Sequence, residues 1–207
     1  MSSGAEAMST RRGPREQRDH LRRVQLLDAG LQAFGTEGFA ESAIESICAD
    51  AHVGTRSFYR YFQSKEDLLQ GVYDRQIARV GASLTAALAR YPSDLDARIR
   101  GGVRAFVKVT TEDERAARVQ LVEIVGVSVR LEAHRREVLR AFALLLEQEY
   151  ADLHARGLIA KRLQSVLCMG LVGGSNEVLV DWIQAAPRSP VREVLEGLVQ
   201  LHLGATR

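Results

Sequence analysis

The chain has little of what enzymes and metal sites are usually built from. Among 207 residues only Cys48 and Cys168 are cysteine, and no metal-ligand spacing joins them. They read as small, buried, apolar residues of a reduced, cytoplasmic protein. His20, His52, His134, His154 and His202 are scattered without zinc spacing, so neither a metal nor any other cofactor is expected. There is no G-x-S-x-G, no G-x-G-x-x-G after a strand and no P-loop, which argues against an enzyme. Gly170-Leu171-Val172-Gly173-Gly174 lies inside an apolar helical stretch, not at a strand-to-helix turn. No apolar signal core stands near the start, and no stretch reads as long enough to cross a bilayer, so no membrane is expected. The net charge is only +2, which by itself does not mark a nucleic-acid binder. Alternation with period two is scarce, which disfavours a sheet.

Helical periodicity is what the chain does have, and an all-α fold of about nine helices is expected. Leu21, Val24, Leu27, Leu31 and Phe34 share one face of a first helix, Gln17–Phe34, with Gly35 and Gly38 ending it. Ser42 and Glu45 form a capping-box pair, so a second helix starts there, with Ile44, Ile47, Cys48 and Ala51 inward. The turn Ala51-His52-Val53-Gly54 precedes a third helix, Thr55–Tyr61, capped by Gly54 or Thr55. Ser64 and Asp67 repeat the capping pattern and open a fourth. Two short helices joined by a tight turn follow the helix-turn-helix plan. Helices this short need the first helix to pack against.

These residues resemble the DNA-binding head of the TetR family of bacterial transcriptional regulators. The likeness covers Gln17–Leu69. It is carried by Phe34, Gly38-Phe39, Ser42, Ile47, Ala51, Val53, Ser57-Phe58-Tyr59, Tyr61-Phe62, Ser64-Lys65-Glu66 and Leu68. The family's Gly-Val-Ser-x-Gly becomes His52-Val53-Gly54-Thr55-Arg56, a departure at the surface that meets DNA. The resemblance implies base reading by Thr55, Arg56 and Ser57, with Arg56 offering the guanidinium fork that suits guanine. It implies phosphate contacts by Ser57, Tyr59, Tyr61 and Lys65, while Phe58 and Phe62 hold the head together. For Arg56 the competing reading is a phosphate contact or an internal ion pair. For Tyr59 and Tyr61 it is packing.

Arg11, Arg12, Arg15, Arg18, Arg22 and Arg23 crowd the start. They form either a solvated tail or an arm reaching phosphates or a narrow minor groove. Residues 1–16 are assigned as a disordered basic arm, 17–66 as the helix-turn-helix DNA-binding domain, and 67–207 as a ligand-binding and dimerisation domain.

Beyond the head the expected helices are Glu66 to about Arg90, one piece or bent near Gly81, then Asp94–Thr110, Glu112–Val127, Leu131–Ala155 closed by Gly157, and Ala160–Gln184. The last helix follows Ser189-Pro190. The last two are the candidates for a homodimer interface. Gly170, Gly173 and Gly174 permit close approach beside Val178, and Val191, Val194, Leu195, Leu198 and Leu201 form a stripe. The competing reading is that both stripes close the monomer's own core. The resemblance also implies an effector cavity between the middle helices. Its candidate lining is Phe106, Gln120, Glu123, Ile124, Val127, Phe142, Asn176 and Trp182, with Trp182 alternatively at the dimer contact.

The expected function is a DNA-binding repressor that sits on a palindromic operator as a homodimer and is released by a small hydrophobic effector. The alternative is a DNA-binding regulator without an effector, controlled by a protein partner.

Overall fold

A computed structural model describes residues 13–91 and 93–206. Arg11, Arg12 and the rest of residues 1–12 lie outside that range. Among the described residues there are nine α-helices and no strand.

Helix α1 (Pro14–Thr36) starts earlier than the apolar stripe suggested. Pro14 stands at its first position, and the Glu16 carboxylate accepts from the Gly13 amide at 3.1 Å. Residues 14–16 are therefore helix and not part of an unstructured arm. Helix α2 (Ile44–Asp50) is capped by Ala43, not by Ser42. The Ser42 hydroxyl is buried and donates back to the Gly38 carbonyl at 2.6 Å, so the expected capping box does not form. Helix α3 (Thr55–Phe58) is a single turn. The chain from Tyr59 to Phe62 tightens into turns instead, with the Tyr61 amide donating to Phe58 at 2.8 Å.

Helix α4 (Lys65–Arg90) begins at the expected cap, where the Ser64 hydroxyl accepts from the Asp67 amide at 3.1 Å. It runs through Gly81 as one helix. Helices α5 (Leu95–Thr111) and α6 (Glu114–Arg118) are capped by Asp94 and Asp113. In place of one regular helix over Glu112–Val127, α6 runs into a π-helical turn, Val119–Glu123, and the chain turns at Gly126 with φ +72°. That turn is buried on two sides. Val119 and Ile124 join the head's core, and Leu121 packs with Leu179 and Ile183 of the body. Helix α7 (Val129–Ala155) ends at Gly157, left-handed at φ +72° as the closing glycine requires. Helix α8 (Ser165–Gln184) starts five residues later than expected, and α9 (Val191–Gly204) follows Pro190.

The head's core is Leu26, Phe34, Ile47, Phe58, Leu68 and Val72 with their neighbours, and it also takes in Val119, Ile124 and Leu131. A second core joins α5, α7, α8 and α9 through Ile99, Val103, Tyr150, Leu153, Leu171 and Leu198. Gly35, expected to end α1, sits inside it and serves another purpose. A Cβ there would lie 2.4 Å from the Arg115 Cβ and 2.6 Å from the Arg115 Cα, so α1 and α6 meet almost backbone to backbone.

One sequence expectation fails outright. Helix α8 has 20 residues and a mean hydropathy of 1.3, long and apolar enough to cross a membrane by length and composition. Only 28% of that window is buried, so much of an apolar helix faces outward. Core helices of soluble proteins share this length and composition.

Candidate DNA-reading head and effector cavity

The turn between α2 and α3 is set by two amides. His52 donates to Ala49 at 3.1 Å and Val53 donates to Cys48 at 3.0 Å. His52 adopts φ +52°, the left-handed region in which glycine is the usual residue and histidine is tolerated better than β-branched types. Gly54 stands at the N-cap of α3 without a side-chain bond, and its carbonyl accepts from Ser57 at 2.7 Å and Phe58 at 3.1 Å. Phe58 and Phe62 are buried with ring centroids 5.9 Å apart, as expected for residues that hold the head together. Arg56 and Tyr59 are exposed, and Thr55 and Ser57 are half-buried beside them. Arg56 makes no ion pair among the described residues, which removes the competing internal-pair reading.

Two of the expected phosphate contacts are already occupied inside the head. The Tyr61 hydroxyl donates to the Asp19 carboxylate of α1 at 2.9 Å. The Lys65 ammonium donates to the carbonyls of Phe39 at 2.7 Å, Ser42 at 2.8 Å and Ala40 at 3.3 Å, and lies 4.5 Å from the centre of the Phe39 ring. An ammonium has three protons, and all three are used. In this conformation Lys65 closes the loop between α1 and α2.

A cavity of about 440 Å³ lies in the body, within the range of small-molecule sites. Its walls come from α4, α5, α7 and α8, with Gln120 of the π turn and His202 of α9 completing them. Along α4 the wall from Tyr73 to Leu88 runs about 22 Å at the helical rise per residue. Near the head α4 and α7 are clasped by polar contacts. Asp74 meets His134 at 2.6 Å, Asp67 meets Arg130 at 3.1 Å, and Glu66 accepts from Ser128 at 3.0 Å. At the other end Arg98 pairs with Glu149 through two nitrogens and donates to the Leu88 carbonyl at 2.6 Å. That cation is matched by its own carboxylate.

Of the expected lining residues, Phe106, Gln120, Phe142 and Asn176 do face this cavity. Four others do not. Ile124 is fully enclosed in the head's core, and Val127 packs against the same core. Trp182 donates its indole N–H to the Ser189 carbonyl at 2.9 Å under the Arg188 guanidinium, away from the cavity. Glu123 accepts from the Phe39 amide at 2.7 Å and pairs with Arg118 at 2.8 Å, tying the π turn to the α1–α2 loop. Sequence reasoning missed Tyr73, Tyr150, Ser175 and His202. Each sits on an apolar helical stripe, where a lone polar group reads as core. Ser175 Oγ and His202 Nε2 are 3.1 Å apart, and burial pushes the imidazole below its usual pKa. Burial likewise raises the Tyr73 and Tyr150 phenols.

The outward side of α8 and α9 carries Val166, Leu167, Met169, Val178, Val191 and Leu201, all exposed. A Cβ at Gly170, Gly173 or Gly174 would meet nothing within 4 Å. Leu198, expected at the dimer contact, is only 2% exposed and belongs to the protomer's own core. Val194 and Leu195 are half-buried against the same core.

The architecture is a helix-turn-helix head continued by one helix into a helical body that holds a largely apolar cavity. Residues 26–72 match the family described as bacterial regulatory proteins, tetR family. The chain resembles this family over its helix-turn-helix head. It is 30% identical over 85 residues to the HTH-type transcriptional regulator EthR of Mycolicibacterium smegmatis. That match covers 41% of this chain and spans only 39% of the relative's length. In fold it is similar to the fatty acid degradation regulator FadR from Bacillus halodurans, with a TM-score of 0.76 at 21% identity over 96% of this chain and 99% of that one. The transcriptional regulator FadR from Bacillus subtilis in complex with stearoyl-CoA superposes with a TM-score of 0.74 at 17% identity, over 89% of this chain and 99% of that one.

Proposed function

We propose that this chain is a cytoplasmic, non-enzymatic transcriptional repressor that binds a palindromic DNA operator as a homodimer and is released by a small, predominantly apolar effector, in the first instance one with a long acyl chain. The cavity is the single observation that carries the effector reading. It is long, mostly apolar and of ligand size. The stearoyl-CoA held by a regulator of the same fold supports the acyl class. The cavity also favours this reading over control by a protein partner alone.

Thr55, Arg56 and Ser57 meet base edges, and Arg56 is the residue for guanine. Ser57 and Tyr59 meet phosphates. A second copy packs on the exposed apolar side of α8 and α9, because a head this small reads too few base pairs alone. A ligand that wedges α4 away from α7 beyond the Asp74–His134 clasp moves the head, since α4 has no break between the two. An effector preferring the released spacing by about 5.5 kcal/mol clears the operator almost fully.

The test is selection of bound duplexes from a random pool, followed by anisotropy titration with acyl-CoAs of increasing chain length. Arg56→Ala should relax preference at one base position. No enriched duplex would end the DNA reading. Enriched duplexes that neither plain nor oxygenated acyl chains release would leave control by a protein partner.

A further inference from the structure

The walls of the cavity are largely apolar, yet two polar side chains among the described residues, buried Gln120 and half-buried Asn176, face it without a protein hydrogen bond. Gln120 is 8% exposed, and its amide makes no hydrogen bond among the described residues. Asn176 faces the same space, also without a protein hydrogen bond. Ser175 and His202 lie on the same side of the cavity and bond each other at 3.1 Å. The π turn brings Gln120 to α8, because Leu121 beside it packs with Leu179 one turn beyond Asn176. All four groups are neutral near pH 7, since burial holds the imidazole below its usual value. Each amide both donates and accepts.

A buried amide without a protein partner is costly unless water or a ligand satisfies it. A plain hydrocarbon segment that displaces this water cannot replace its bonds, and affinity suffers. A carboxylate or ammonium at this place fails for another reason. The cluster offers no counter-charge, and among the described lining residues the cation Arg98 is held by Glu149 while the Asp152 carboxylate pairs with Arg156.

We infer that the effector carries an uncharged oxygen function, a hydroxyl or carbonyl, within its buried apolar part, and that Gln120 and Asn176 bond it. This rests on reading the cavity as the effector site and narrows the ligand class. The cognate molecule is an oxygenated chain or ring, and an unsubstituted acyl chain is a weak surrogate. Gln120 is then the residue that sets specificity. Three residues on, Glu123 holds the α1–α2 loop of the head.

The experiment uses the full-length protein and three probes of equal chain length: stearate, mid-chain hydroxystearate and mid-chain oxostearate. Binding is read by displacement of a fluorescent fatty acid. The oxygenated probes should bind the wild type about tenfold or more tightly than stearate, from one satisfied buried group. Gln120→Met keeps the side-chain volume and should reverse the order, gaining stearate and losing oxostearate. Loss of packing alone would weaken all three together. Asn176→Leu provides an independent second variant should Gln120→Met fold poorly. Equal affinity for the three probes in the wild type overturns the inference and leaves the effector site standing. Failure of every probe to enter overturns both.

Discussion

Gly35→Ala is the sharpest test of how the head is attached. Inside a helix this substitution ordinarily stabilises by roughly 0.5–1 kcal/mol, because glycine loses more backbone freedom on folding. At Gly35 the new methyl would lie 2.4 Å from the Arg115 Cβ, 2.6 Å from its Cα and 2.9 Å from its carbonyl oxygen. Two of those three atoms are backbone, so no rotamer change clears the overlap. Helix α6 must move bodily by something like an ångström. Overpacking of this kind costs about 1–3 kcal/mol, and a rigid backbone neighbour puts this case in the upper part of that range. The net expectation is a loss of about 2 kcal/mol after the helical gain is deducted. For a chain of this size that lowers Tm by about 4–8 °C. Gly81→Ala in α4 is the control, since nothing stands within 4 Å of its new methyl. It should gain up to about 1 kcal/mol. Urea unfolding at one fixed protein concentration reads both, because self-association would otherwise shift the midpoint. A Gly35→Ala protein as stable as wild type, beside a normal Gly81→Ala control, would show that α1 and α6 are not in contact here.

Lys65→Ala should cost about 1–3 kcal/mol, because three carbonyls of the α1–α2 loop lose their donor. The slope of operator affinity against salt should stay unchanged, and a slope shallower by about one phosphate would place the ammonium on DNA instead. His202 is held below its usual pKa by burial, so the unfolded chain takes up a proton first as pH falls. Stability should therefore drop as the solution is acidified through the ordinary imidazole range, and His202→Gln should flatten that drop in pH-dependent urea titrations.

The head was legible because its signals are local. Ser64 with Asp67, the aromatic pair Phe58 and Phe62, and the stripe of α1 all work within a few residues of one another. Ser42 misled for the same reason. Its pattern with Glu45 is that of a cap, but burial and the Gly38 carbonyl took the hydroxyl first. Lys65 misled because its partners lie more than twenty residues back in the chain, in a loop whose path no local rule gives. In the body, helix number and order were legible from periodicity, and half of the proposed cavity lining was found. Three of the four misses, Glu123, Ile124 and Val127, arose at or just after the π turn, while Trp182 of α8 turned away to the Ser189 carbonyl. A regular helix through Gln120, Glu123, Ile124 and Val127 would have aimed them along one broad face. The wider turn sends Gln120 to the cavity and Glu123 to the head, and buries Ile124 in the head's core. The histidine and serine facing each other across α8 and α9 left no sequence signal, since their meeting depends on packing alone.

The head's core does not stop at the head. Val119, Ile124 and Leu131 complete it from far down the chain, next to Leu26, Phe34 and Leu69. The reading module is therefore not a cassette that can be lifted out at its apparent boundary. A head cut after the first turn of α4 loses part of its own interior. A chimera that grafts this head onto another body needs these three body residues as well. Drift in the cavity-bearing half is then constrained by the need to finish the interior of the head.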